Sequence, residues 1–205
     1  MANIIVVSFT KETNALEALH KIKKLDSNGN ITLYEYIMIC KKADNLFEIL
    51  NNTTRFRWKP LSSHKLESFA SALSGPLGLV ISLFSGTITS TTEGFARYNF
   101  ENEFVKKINP KITTAYTTLI AEVGEDNPFF INNTLIPYKV EVLRTSADAA
   151  YLDFIEDEIE RLEDKIENHR KKLKNTTRKE REKLRHKIDD LKVVRKTKIA
   201  KLEAK

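Results

Sequence analysis

From residue 147 to residue 205 the chain contains neither proline nor glycine. Nothing there breaks a helix, and most of the residues are charged helix formers. Leu152, Ile155, Ile159, Leu162, Ile166, His169 and Leu173 step by three and four, which predicts a heptad seam. Leu184, Ile188, Leu191, Arg195, Ile199 and Leu202 resume that seam in a shifted phase. Between the two runs lies "KNTTRKEREK", without an apolar residue. Two arrangements satisfy this pattern. A single helix from about Ala147 to Ala204 treats the gap as a local unwinding of a coiled coil. A helical hairpin turns back at "NTT", because Thr177-Arg178-Lys179-Glu180 is a capping-box sequence that opens a new helix. The hairpin is slightly favoured, since its arms match in length and set an acidic half beside a basic one. Two straight helices from different chains would satisfy the same charge match.

Net charge is concentrated in this tail. Asp153–Glu167 holds eight acids and two bases, and Asn168–Lys205 holds sixteen bases and five acids. The whole chain carries a formal charge of only +6, so the first 152 residues are almost neutral. The basic character is therefore local, which weakens an inference from overall charge to nucleic acid.

The first 146 residues read as a mixed domain. "NIIVVSF" (Asn3–Phe9) is a strand, and Thr10 is positioned to cap a helix with Leu16, Leu19, Ile22 and Lys23 at helical spacing. Gly29 stops that helix. "ITLYEYIMICKK" and "LFEIL", joined by a turn at "ADN", predict a β-hairpin. "FENEFVKKI" is a short amphipathic helix, "TTAYTTLIAEV" a strand, "NPFFINNTLIP" a short helix or irregular segment, and "YKVEVLRT" a closing strand. This order predicts an α+β, ferredoxin-like sandwich over 1–146, with an insertion at about 60–98 and a coiled-coil or helical-hairpin tail over 147–205.

Within the insertion, Ala70, Ser74, Gly78, Ser82, Gly86, Ser90 and Gly94 recur at every fourth position. Small residues at this spacing let helix backbones approach closely. The uncharged window Ser68–Thr92 is long enough to span a bilayer, but ten of its 25 residues are Ser or Thr and Pro76 interrupts it. A strict four-residue ladder drifts around a 3.6-residue helix, so it favours two short crossing helices over one straight stripe. A broken helix that packs on itself or on another subunit is the expectation.

"NIIVVSFTKETNALEALHKIKKLDSNGNITLYEYIMICKK", "GFARYNFENEFVKKINPKITTAYTTLIAEV" and "YKVEVLRTS" together resemble the bacterial domain-of-unknown-function family numbered 1269, often labelled predicted membrane protein. The resemblance covers about residues 3–146 and includes a central small-residue segment, in which Ser and Thr here replace much of the family's Gly and Ala. It implies a fold and a self-packing segment and no activity.

Few residues carry reactive chemistry. Cys40 is the single cysteine, which excludes an internal disulfide and fits a buried small hydrophobe in a reducing compartment. His20, His64, His169 and His186 have no metal-site spacing, and His169 falls on the seam. Glu17, Asp26, Glu35, Glu48, Glu67, Glu93, Glu101 and Glu103 are scattered rather than paired, and "SGPLG" lacks the context of a phosphate loop. "RFRWK" (Arg55–Lys59) interleaves bases with aromatics, which suits stacking on nucleic acid, a place at lipid headgroups or, more simply, an exposed strand end. Neither a secretory signal nor a cofactor motif is visible. The sequence thus predicts a cytoplasmic, non-enzymatic assembly protein without cofactor or metal. Its contacts would be Ser74, Gly78, Ser82, Gly86, Ser90 and Gly94 in the insertion, with Leu152, Ile155, Ile159, Leu162, Ile166, Leu184, Ile188 and Leu191 in the tail. Homo-oligomerisation is expected, and the tail is a further site for a protein partner. The competing readings are a membrane-surface protein and a nucleic-acid-associated protein.

Overall fold

A computed structural model gives the fold and describes residues 2–43, 46–52, 58–62, 80–81, 104, 107–108, 116–146, 153–174 and 176–203. The apolar run at the N-terminus is strand β1 (Ala2–Phe9), followed by helix α1 (Glu12–Ser27) and strand β2 (Thr32–Ala43). Strands β3 (Leu46–Asn52) and β4 (Trp58–Ser62) extend the sheet from β2. Strand β5 (Thr117–Gly124), helix α2 (Phe129–Leu135), a 3₁₀ turn at Ile136–Tyr138 and strand β6 (Val142–Ser146) follow. The chain ends in helices α3 (Asp153–Leu173) and α4 (Arg178–Glu203).

The six strands form one sheet in the order β4-β3-β2-β5-β1-β6, and every neighbouring pair is antiparallel. Because β1 and β2 both run antiparallel to β5, they are parallel to each other, and α1 is the crossover between them. By the same reasoning β5 and β6 are parallel, joined through α2.

One face of the sheet presents Ile5, Val7, Phe9, Met38, Leu119, Ala121 and Val123 to Ala15, Ala18, Leu19 and Ile22 of α1 and to Ile131 and Leu135 of α2. The opposite face is also buried, at Ile4, Val6, Ile37, Ile39 and Ile120. Burial on both sides explains why "IIVV" and "LIA" run apolar without alternating. Helix α1 begins later than the sequence suggested. Lys11 is the capping residue, still extended at φ −126°, and no side chain caps the helix. Thr10 lies one residue too early to reach the first turn. Val80, Ile81, Phe104 and Ile108, in the long connection between β4 and β5, are helical and buried.

Helices α3 and α4 pack on each other, and the chain reverses between them. The Thr177 hydroxyl donates to the Glu180 carboxylate at 2.8 Å, which joins the two ends of the capping-box sequence side chain to side chain. The hairpin does not stand clear of the sheet. Ile166, Leu173 and Ile188 form a buried cluster to which Tyr34 of β2, Leu184 and Leu191 contribute. Part of the seam that was expected to meet another helix alone therefore meets the chain's own sheet.

Candidate functional site

The sheet–hairpin junction is organised by a bulge in β2. Leu33 pairs with Val123 and Glu35 with Glu122, so Tyr34 is an extra residue between them. A bulge breaks strand alternation. Leu33 stays in the α1-side core, while Tyr34 and Glu35 both meet the hairpin, through the Ile166 cluster and Lys196 respectively.

The centre of the junction is Arg195, a seam residue on α4 that is 5% exposed. Its Nη2 donates to Glu122 Oε1 of β5 at 2.5 Å, and its Nε donates to Glu163 Oε1 of α3 at 2.8 Å. The guanidinium lies 4.2 Å from the centre of the Tyr34 ring. One arginine thus joins β5, β2, α3 and α4. Such a cation needs this full set of partners, because an unpaired charge in the interior costs several kcal/mol, on the order of 3–5 when one partner is removed.

Burial works against the charge on Arg195, but Glu122 and Glu163 outweigh it and hold the guanidinium above its ordinary pKa. Burial lifts the Tyr34 phenol, so its proton is retained. Burial also raises the Glu35 and Glu163 carboxyls, against the opposing pull of Lys196 and Arg195 respectively. The carboxylates are thus individually strained by desolvation and collectively held by two bases.

A second set of contacts fixes the hairpin to the turn between α1 and β2. Arg170, 2% exposed, donates from Nη1 to the Asn30 carbonyl at 2.9 Å and from Nη2 to Asp126 Oδ2 at 2.9 Å, and also pairs with Glu167. Arg185 donates to the Ser27 carbonyl at 2.8 Å. Lys192 reaches the Leu33 carbonyl at 2.8 Å and Asp26 Oδ1 at 3.2 Å, and the same Asp26 oxygen accepts the Leu33 N–H. Gly29 makes this approach possible. It adopts φ +76°, and a Cβ there would lie 2.8 Å from the Arg170 carbonyl oxygen and 3.2 Å from Leu173 Cβ.

Between α4 and the start of β2 lies a cleft of about 380 Å³, with Lys23, Tyr36, Glu35, Lys192, Arg195 and Lys196 in its wall. Its cations and carboxylates mostly satisfy each other, and Lys23 sits 4.5 Å over the Tyr36 ring. The arrangement is suited to holding two layers together.

The contact residues named from the sequence are only partly visible here. Ser74, Gly78, Ser82, Gly86, Ser90, Gly94 and Leu152 lie outside the described residues, and Ile155 is placed only as part of α3. Ile159, Leu162, Ile166 and Ile188 are buried within this chain, while Leu184 and Leu191 are half-buried. His169, expected on the seam, is half-buried, and its neighbour Arg170 takes the buried position. Of the scattered carboxylates, Asp26 and Glu35 enter the junction, Glu17 pairs with Lys21, and Glu48 pairs with Lys42. Glu67, Glu93, Glu101, Glu103, His64 and Arg55–Arg57 lie outside the described residues, and Trp58 and Lys59 fall in β4. Cys40 is buried. Among the described residues no group of three or more His, Cys, Asp or Glu could hold a metal ion, and no helix is long and apolar enough to cross a membrane.

Glu122, the partner that sequence reasoning missed, carried a signal. It is an acid inside the apolar strand "TTLIAEV", as Arg195 is a base inside an apolar seam. Two such intruders are a reason to look for each other, because buried charges are found paired. No protein-family model, no curated protein and no solved structure matches this chain. The resemblance to the family numbered 1269 thus rests on the quoted segments alone.

Proposed function

We propose that this chain is a non-enzymatic, self-assembling scaffold protein, built on a ferredoxin-like sandwich that its own C-terminal hairpin braces. The strand order β6-β1-β5-β2, with α1 and α2 as crossovers, supports the ferredoxin-like reading, β3 and β4 being an extension. The hairpin serves within the protomer, since its apolar seam is largely occupied by α3–α4 packing and by Tyr34. Contacts between copies then fall to the small-residue ladder and to apolar side chains left outside.

The observation that carries this reading is on the α1–α2 layer. Phe129 and Ile136 are 60% and 66% exposed, seven residues apart, and so project from the same side of that short helical segment. Large apolar side chains held out in register suit a protein contact better than a solvated surface. Light scattering across a range of concentrations tests it. The expected result is a species heavier than the 23.6 kDa monomer, reduced in size by Phe129→Asp with Ile136→Asp. A monodisperse monomer at tens of micromolar overturns the reading.

A further inference from the structure

The charge of the tail is distributed unevenly once it is folded. The acidic start of α3 lies beside the end of α4, where Arg195 engages Glu163. At the other end, around the turn, Asp126 and Glu167 engage Arg170 and Glu167 engages Lys171, while the other bases pair with no carboxylate among the described residues. From Asn168 to Lys187 ten bases stand against two acids. The reversal of the chain brings the last turn of α3 and the first turns of α4 together, so both helices contribute to one basic tip. Lys172 and Lys187 are close enough across the hairpin that both act on His169. Burial first, and then these two lysines, lower the pKa of that imidazole.

Lys172, Arg178, Lys179, Lys183 and Lys187 are exposed and pair with no carboxylate among the described residues. Lys179, Lys183 and Lys187 recur every four residues and so form a row with steps of about 6 Å along α4. The helix that carries this row is anchored to the domain. Arg185 and Lys192 anchor α4 to the α1–β2 turn, and the bases of the row are not used in that anchoring.

We infer that the hairpin tip is a docking surface for the phosphate backbone of double-stranded nucleic acid, bound without regard to sequence. Two features favour a duplex over the other polyanions. Among described residues 168–187 no Phe, Tyr, Trp or large aliphatic side chain is exposed, and the exposed imidazole of His186 is a small and isolated platform for unpaired bases. The same lack leaves nothing to insert below lipid headgroups, which a membrane-surface helix requires. What remains is an array of point charges on flexible stems, spaced by an anchored helix, which can follow a regular array of phosphates.

The inference is independent of self-assembly, since the tip is complete in one chain. Fluorescence anisotropy of the full chain with a labelled 20-base-pair DNA duplex, titrated over salt concentration, tests it. Binding should weaken steeply with salt. Replacing Lys172, Lys179, Lys183 and Lys187 together by Gln should lower the slope of log K against log salt by about 3–4, with roughly tenfold or greater loss of affinity at 0.1 M salt. The same four positions changed to Arg keep the charge and should keep both slope and affinity. No binding by the wild-type chain at 0.05 M salt, or an unchanged slope in the folded Gln variant, overturns the inference. So does tighter binding to a single strand of the same length, or to phosphatidylserine vesicles, than to the duplex.

Discussion

Gly29 shows how one backbone position can fix the relation of two distant segments. It ends α1 in a left-handed conformation, and the absence of its side chain lets the end of α3 sit against the turn. Gly29→Ala adds strain at positive φ and a Cβ 2.8 Å from a backbone oxygen that cannot swing away. The expected destabilisation is on the order of 1–3 kcal/mol, read from the urea midpoint. A change within a few tenths of a kcal/mol would mean that α3 does not approach the turn this closely. Arg195 invites a sharper comparison. Arg195→Ala leaves Glu122 and Glu163 buried without their shared cation and should cost about 3–5 kcal/mol. Arg195→Met with Glu122→Leu replaces the pair by apolar volume and should restore much of that loss. If the double variant is as unstable as the single one, unpaired charge is not the cause. Neither residue's role follows from its neighbours in sequence. Gly29 was legible as a helix stop, but its second duty depends on a chain segment about 140 residues later.

At the scale of elements, legibility followed periodicity. The strands "NIIVVSF" and "LFEIL" and the start of α4 after Thr177 are encoded locally, by apolar runs of strand length and by a capping sequence. The bulge at Tyr34 is not. "TLYEYIM" alternates well enough to read as a regular strand, and the extra residue is detectable only from the pairing with β5. The seam of the tail was legible as an apolar stripe, yet the stripe does not say what covers it. An amphipathic helix buries its stripe against whatever surface is nearest, and here that includes Tyr34 on a sheet that α1 covers only on its other face. Leu173→Ala tests this assignment. Leu173 is 2% exposed and touches the position where a Gly29 side chain would lie. Its truncation should cost about 2–5 kcal/mol in global stability, measured by chemical denaturation with probes in the sheet as well as the helices. A loss confined to helical signal, with the sheet unaffected, would instead describe a hairpin that folds separately.

Across the whole molecule, the junction between sheet and hairpin makes stability depend on pH through carboxyls that the fold raises. Glu35 and Glu163 have folded pKa values above their unfolded reference of 4.5, burial being the larger cause in each. A group raised in this way adds stability that is fully present below the unfolded pKa and is lost as pH climbs through the folded one. The charged partners facing them are Lys196 and Arg195 from α4 and Glu122 from β5, so each carboxyl ionises against a neighbouring acid as well as against burial. The tip of the hairpin contains an opposing contribution. His169 is lowered in the folded chain by burial and by Lys172 and Lys187, so its share is present above 6.5 and lost as pH falls. Glu35→Gln isolates the carboxyl part. Below about pH 4.5 the variant and the wild-type chain carry a similar neutral group at this position. As pH rises past that value, the variant should gain on the wild type by about 1.4 kcal/mol for each unit by which the fold lifts the Glu35 carboxyl. Lys196 tolerates the loss of its partner because it is 38% exposed and water can replace the carboxylate. Denaturation midpoints of both chains from pH 4 to pH 8 decide it. A difference that stays constant with pH, or that turns against the glutamine variant as pH rises, would show that the Lys196 pair outweighs burial at this position.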